Sequence, residues 1–323
     1  MLKDTFGRKI DYIRVSVIKQ CNFRCQYCMP NTPIDAFDNE NCIPLDEVLE
    51  LLKVGINQGI KKIRITGGEP LLRRDLTDFI FAIRNYSKDV QIVLTTNGFL
   101  LEKYALKLKE AGLDRINISL DSLRADRVLK ISQKDALHQV LRGIECAKSA
   151  GFGLKLNSVI MRGINDDEIL DLFEYAKKLS ISIRFIEFME NIHANQEVKG
   201  IKEKEILQEV AKKYHFELSK DQIIGPARLY ECDDGYVFGV IAPHNHDFCE
   251  SCNRIRLTAD GVICPCLYYQ DSVDVKEALK SKDPQKLQEA LEQAVYNKPE
   301  KNQWDEVMDD QKISARAFYH TGG

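Results

Sequence analysis

The 323-residue sequence predicts an α/β fold: an incomplete (βα)6 barrel of the TIM type, followed by a smaller α+β extension. Three observations carry this. Strand-like runs alternate with amphipathic helical stretches from residue 11 to about 187. Glycines stand where the helical stretches end, at Gly59, Gly112 and Gly151. Residues with chemical character cluster just after the strands, where a (βα) barrel carries its site. The pattern by itself leaves a flat, doubly wound sheet open as well.

The strand-like runs are Asp11–Val17, Lys62–Thr66, Val90–Thr95, Asp114–Leu120, Gly153–Met161 and Ser180–Phe188. Each is short and rich in Ile, Val and Leu, as a parallel strand is. Between them Asp46–Gln58 places Val48, Leu49, Leu51, Leu52, Val54 and Ile56 on a broad helical face. Leu76–Tyr86, Glu102–Ala111, Asp135–Ala150 and Asp166–Leu179 read the same way. Crossovers of one hand then make a curved parallel sheet. Residues 1–215 are expected to form this barrel and 216–323 a second region. A helix is expected at Lys202–Tyr214, closing the first region; the second holds a hairpin at Leu229–Cys232 and Gly235–Ile241, and helices at Val273–Lys280 and Pro284–Val295. Asn297 to Lys312 is polar and reads as a solvated tail.

Composition narrows the function. Apolar residues make up 44% of the chain, enough for a sizeable core, and the net charge is −3. That balance gives no reason to expect nucleic acid or an anionic membrane as a partner. No apolar run reaches the length of a membrane span, and Met1-Leu2-Lys3-Asp4-Thr5 has no signal-peptide core, so the cytoplasm is expected. Ten cysteines are many for a reducing compartment, where clustered cysteines read as metal ligands rather than disulfides.

Six of the cysteines form two sets. Cys21, Cys25 and Cys28 have the spacing C-x3-C-x2-C, just after the first strand, with Tyr27 before the third. Three thiolates on one loop can ligate three irons of a 4Fe–4S cluster and leave the fourth open to a small molecule. Zinc would want a fourth ligand, and none lies near this loop. Cys249, Cys252 and Cys266 form the second set, C-x2-C-x13-C, with Cys264 as a rival third ligand and His246 as the fourth ligand a zinc reading would need. Beside it, Arg254 and Arg256 lie two residues apart and would share one face of a strand. Lys62 and Arg64 repeat that relation, and Arg14, Lys155 and Arg184 also fall on strands expected to be buried. Buried cations are costly unless an anion meets them, and guanidinium forks suit phosphate, so a polyphosphate is expected.

The first cysteine set, followed one βα unit later by Gly67-Gly68-Glu69-Pro70, resembles the radical S-adenosylmethionine (SAM) enzymes. That resemblance favours the partial barrel. It implies that SAM binds the open iron and is cleaved to a 5′-deoxyadenosyl radical, with the glycine-rich turn against the methionine ammonium. Adding Cys-Asn-Arg-x-Arg-Leu-Thr-x-Asp-Gly from Cys252 to Gly261 and the final Gly322-Gly323, the whole chain resembles one family, the GTP 3′,8-cyclases of molybdenum cofactor biosynthesis. The resemblance implies two 4Fe–4S clusters, and GTP lying between them with its base on the second. It implies hydrogen abstraction from ribose C3′ and a cyclised nucleotide as product, (8S)-3′,8-cyclo-7,8-dihydroguanosine 5′-triphosphate.

Matching positions put Tyr27, Gly68, Ser119 and Met189 on SAM. They put Arg14, Arg64, Thr95, Lys155, Arg254, Ile255 and Arg256 on GTP, with Lys62 and Arg184 in second rank, and give Arg14, Gly322 and Gly323 catalytic roles. Flavodoxin or ferredoxin as electron donor, a downstream cyclic pyranopterin monophosphate synthase and a homodimer are further implications. The segment from Glu190 to Gly200 is shorter than the family's, and His244 and Asp247 depart from its pattern. Two other readings remain at this point. A peptide maturase with auxiliary clusters usually carries more C-terminal cysteines. A non-enzymatic iron–sulfur or zinc protein would leave the glycine turn and the strand cations without a purpose.

Overall fold

The first strand sets the pattern for the sheet. In β1 (Tyr12–Ser16) Ile13 and Val15 are buried towards one face, while Tyr12, Arg14 and Ser16 take the other. The computed structural model describes residues 1–29, 42–189, 194–221, 225–243, 249–267, 271–301 and 318–321. Gly322, Gly323, His244, His246 and Asp247 lie outside them, as does part of the segment after Met189.

Parallel neighbours repeat the alternation in register. These are β2 (Lys62–Thr66), β3 (Gln91–Thr96), β4 (Arg115–Ser119), β5 (Gly153–Ile160) and β6 (Ser182–Glu187). Ile13 aligns with Ile63 and Ile63 with Ile92; Ile116 aligns with Leu94 and Leu154; Leu156 aligns with Ile183. This apolar set is covered by the crossover helices: α1 (Leu45–Asn57), α2 (Leu76–Tyr86), α3 (Leu101–Glu110), α5 (Leu137–Ser149) and α6 (Ile169–Lys178). Five of the six expected strands keep their centres and shift at the ends by one or two residues, and the second matches fully.

The sheet runs on at both sides. Beyond β1 come β10 (Arg254–Leu257), β11 (Val262–Cys264) and β12 (Val273–Asp274); beyond β6 come β9 (Val237–Ile241), β8 (Arg228–Cys232) and β7 (Phe216–Leu218). β10 pairs with β1 and β9 with β6 in parallel, so eight consecutive strands run one way, and the outer pairs are antiparallel. The expected hairpin is β8–β9, but it lies on the edge of the barrel sheet rather than apart from it. Both edges finish in strands of two or three residues, which limits exposed pairing groups.

Three expectations need correction. The helix expected at Val273–Lys280 begins as β12, and only Lys276–Ser281 is helical (α8), because Val273 pairs with Ile263. A helix not expected from the sequence, α4 (Ala125–Ser132), lies before α5. The polar stretch from Asn297 is not solvated at its start. Lys298 is buried, and its ammonium donates to the carbonyls of Arg254 and Pro265, both at 2.9 Å. The remaining helices, α7 (Glu203–Ala211) and α9 (Pro284–Tyr296), follow the sequence reading; α9 packs on α1.

The turn after β2 is laced to the chain leading to Cys21. The N–H of Gly68 donates to Ile18 O at 2.7 Å and that of Glu69 to Gln20 O at 2.8 Å. A Cβ at Gly68 would stand 2.3 Å from Gln20 O and 2.4 Å from Lys19 O, so only glycine fits between these strands of backbone. Gly68→Ala is therefore expected to cost about 1–3 kcal/mol as an overpacked site. Urea unfolding of the cluster-free protein measures it, and iron content after reconstitution should fall with it.

Candidate functional site: two thiol sets at the ends of a cationic lumen

The strand residues that do not face the helices line the inside of the curved sheet. In register they include Tyr12, Arg14, Lys62, Arg64, Arg115, Asn117, Lys155, Asn157, Arg184, Arg254 and Arg256. β2 and β5 are not neighbours, yet the charges of Lys62 and Arg64 depress Lys155, so these residues meet across the lumen. Among the described residues eight cations share the space: Arg14, Lys62, Arg64, Arg115, Lys155, Arg184, Arg254 and Arg256.

Their electrostatics show crowding. Burial, then Arg184, Arg115, Lys62 and Arg64, push the Lys155 ammonium down to about 7. Burial lowers Lys62 to about 8 and Arg184 to about 10, with neighbouring cations adding to both. Burial brings Arg14 to about 9, helped by Arg256, Arg64 and Arg254 and opposed by Tyr12. Burial raises the phenol of Tyr12, but Arg64, Arg14, Lys62 and Arg254 outweigh it and bring it to about 7. Arg64 has polar support. Its guanidinium donates to Thr95 Oγ1 at 3.1 Å and, with the Asn117 amide oxygen turned to it, to that oxygen at 2.6 Å.

At the C-terminal end of β1 the loop with Cys21, Cys25 and Cys28 borders a cavity of about 260 Å³. Tyr27, Gly67, Gly68, Thr95, Ser119, Met189, Phe318 and Tyr319 also line it. The structure thus gathers all four expected SAM residues around the three thiols. Arg14, Arg64, Lys155, Arg254, Ile255 and Arg256 lie outside this cavity, further along the strands; of these, Ile255 is fully buried in the layer facing the helices.

The loop is held from several sides. Arg24 N and Gln26 N donate to Ser132 O and Ile131 O at the end of α4, so the unexpected helix anchors the cysteines. The Tyr27 hydroxyl donates to Asp121 Oδ2 at 2.8 Å, and Asp121 Oδ1 accepts from Val159 N. Asn97 donates to Asn22 Oδ1 and reaches the sulfur of Cys21 at 3.9 Å. Burial, then the charge of Glu69, raise the Cys21 thiol to about 12; burial, then the charge of Cys21, raise Cys28 to about 12.

The second set lies at the opposite end. Cys249 and Cys252 precede β10, and Cys266 follows β11, which is antiparallel to β10; β10 is parallel to β1. Burial would raise the Cys252 thiol, but Arg254 and Lys298 outweigh it and lower it to about 6. Arg8 donates to the Cys249 carbonyl at 2.9 Å. Among the described residues no three His, Cys, Asp or Glu side chains gather around a single ion. A cubane holds its thiolates on separate irons, and a loop of three with a cavity above it suits that donor set. Cys264 sits in β11 opposite Arg256, fully buried.

The chain's last described segment, α10 (Phe318–Thr321), enters between the two sets. Phe318 and Tyr319 line the upper cavity, and Arg256 donates to the Thr321 carbonyl at 3.1 Å. Arg115, Asn117 and Tyr12 are lumen residues that the sequence alone did not single out. Arg115 shares a face with Asn117 at i, i+2, which could have exposed it; Tyr12 carries no formal charge and shows no such signal.

Fold and site together define a radical SAM protein. Residues 15–176 match the family model described as the radical SAM superfamily, and residues 181–304 match that of molybdenum cofactor synthesis C. Over 323 residues, all of both chains, the protein is 60% identical to the GTP 3′,8-cyclase of Helicobacter pylori strain J99. It is 54% identical to that of Nautilia profundicola over 324 residues, again all of both chains. The Streptococcus suis SuiB structure bound to S-adenosylmethionine shares the fold, with a TM-score of 0.66 at 15% identity, covering 85% of this chain and 65% of that one. The chain belongs to the GTP 3′,8-cyclase family of radical SAM enzymes.

Glu69 joins two of the loops. Its carboxylate accepts from Leu71 N, Thr96 Oγ1 and Asn97 N at 3.0, 2.7 and 2.8 Å. Burial nevertheless raises it from 4.5 to about 7. The folded state therefore holds the proton more tightly than the unfolded one. This contribution to stability grows as pH falls through about 7 and is complete below 4.5. Cluster-free wild type compared with Glu69→Gln, unfolded in urea at about pH 5 and about pH 8, should show that pH slope only in wild type.

Proposed function

We propose that this chain is a radical SAM lyase that converts GTP to (8S)-3′,8-cyclo-7,8-dihydroguanosine 5′-triphosphate, an early step in building the molybdenum cofactor. The observation that carries the substrate is the lumen: buried cations, crowded enough to depress one another, between two three-thiol sets. A triphosphate relieves that crowding, and a nucleoside between the ends lies within reach of both.

On this reading Cys21, Cys25 and Cys28 would hold one 4Fe–4S cluster and Cys249, Cys252 and Cys266 another. With SAM bound, the first cluster would supply radical chemistry for hydrogen abstraction at C3′. Tyr27, Gly68, Ser119 and Met189 would hold SAM in the upper cavity. Arg14, Arg64, Lys155, Arg254 and Arg256 would hold the phosphates, with Lys62, Arg184 and Arg115 around them; Thr95 would add a hydroxyl and Ile255 the backbone between the two arginines. Arg14, flanked in register by Arg64 and Arg256, is also assigned a catalytic role. Phe318 and Tyr319, which line the cavity, would help exclude water from a radical.

The same reading assigns residues 1–215 to the radical SAM unit and 216–323 to the second cluster region. It includes a flavodoxin or ferredoxin as electron donor, a cyclic pyranopterin monophosphate synthase downstream, a cytoplasmic location and a homodimer. No helix among the described residues is long and apolar enough to cross a membrane.

Anaerobic turnover with SAM, a reductant and GTP deuterated at C3′ tests the activity. Deuterium is expected in the 5′-deoxyadenosine, seen by mass spectrometry and dependent on GTP. SAM cleavage without label would remove GTP as substrate and turn attention to peptides. A second test concerns the tail. Thr321 meets Arg256 inside the lumen, which supports a role for Gly322 and Gly323 beyond it. Deleting those two glycines should leave SAM binding and iron content intact while cyclised product falls at least about tenfold, the scale of one missing transition-state contact.

A further inference from the structure

Tyr12 stands among the lumen cations with no partner for its hydroxyl among the described residues. It begins β1, in register with Arg254 on one side and Lys62 on the other. The residue is only 6% exposed, and its hydroxyl oxygen is buried with no hydrogen bond. Lys62, Arg64 and Arg14 stand 5.1, 5.8 and 5.9 Å from the ring centroid, so cation–π attraction fixes the ring. Buried tyrosine hydroxyls normally find a partner. Lysine and arginine side chains cannot supply an acceptor, because they carry donors alone. No acceptor for the phenol hydrogen stands among the described residues, and the surrounding charges favour an anion in that place.

Resting on the GTP reading above, we infer that Tyr12 is a substrate-contacting residue whose O–H donates a hydrogen bond to a phosphate oxygen of GTP in the lumen. Phosphate oxygens accept, so the phenol must keep its proton when the nucleotide is bound. The phosphate charge favours this by offsetting the cations around the ring. The contact adds a neutral donor to a set of charged ones, and it fixes where along the lumen the phosphate stops.

Tyr12→Phe removes the hydroxyl and keeps the ring over its cations. In the reconstituted full chain, GTP affinity and KM should weaken about threefold to tenfold, the range for one neutral hydrogen bond. The change in kcat should be smaller than that in KM. SAM affinity should hold, because SAM sits at the other end of the lumen. The melting temperature of the ligand-free variant should not drop, since the hydroxyl has no partner to lose among the described residues. Unchanged GTP affinity would overturn the contact. So would a parallel loss of GTP and SAM affinity with a lower melting temperature, which marks a packing role. Wild-type protein that cleaves SAM but shows no affinity for GTP would sink the substrate reading, and this contact with it.

Discussion

Like charges do not assemble themselves. Eight cations among the described residues share the inside of this sheet, and burial and mutual repulsion depress those of Lys155, Lys62, Arg184 and Arg14. What holds them there is the other half of the strand alternation. Ile13, Ile63, Ile92, Ile116, Leu156 and Phe185 are buried under the helices, so every second residue is committed to the outer layer and its neighbour to the lumen. The apolar face supplies the stability, at roughly 25 cal/mol for each Å² removed from water, and the lumen draws on it. Such an arrangement is unfavourable until an anion arrives, and that makes it selective for one.

The two ends of the lumen are built differently. At the upper end the cysteine loop is tied to its surroundings by backbone: Arg24 and Gln26 to α4, and the turn at Gly68 and Glu69 to Ile18 and Gln20. Tyr27, Asp121 and the N–H of Val159 continue that support to β5. At the lower end, side chains do more of the holding, with Arg8 on Cys249 and Lys298 on Arg254 and Pro265. Burial and negative neighbours push the thiols of Cys21 and Cys28 up, while Arg254 and Lys298 pull that of Cys252 down. The upper thiols therefore favour their protonated form before metal binds, and Cys252 favours thiolate.

Much of this was legible from residues alone. The βα period placed the six strands, and the cysteine spacings with the glycine turn named the chemistry. The i, i+2 cations exposed most of the lumen. What escaped was either non-local or uncharged. Pairing of β10 with β1 joins residues some two hundred and forty positions apart, and β9 with β6 likewise leaves no local period to read. Helix α4 is short, and Leu129 on it is exposed, which blurs its apolar face. Lys298 sits in a polar run and is buried only because two carbonyls await it. Tyr12 looks like any aromatic at the start of a strand until its neighbours are seen.

The sheet order also bears on how the protein is made. The six βα units emerge in sequence, each strand pairing with the one before it. Their outer members, β1 and β6, then wait as bare edges. β1 gains β10 only after more than half the chain has followed it, and β6 gains β9 some fifty residues later. During synthesis the half-made barrel presents two unpaired parallel edges and an unneutralised cationic interior. The late strands therefore close the period in which the nascent chain is most exposed to wrong partners, and chaperone demand should fall sharply once residues 228–257 have left the ribosome.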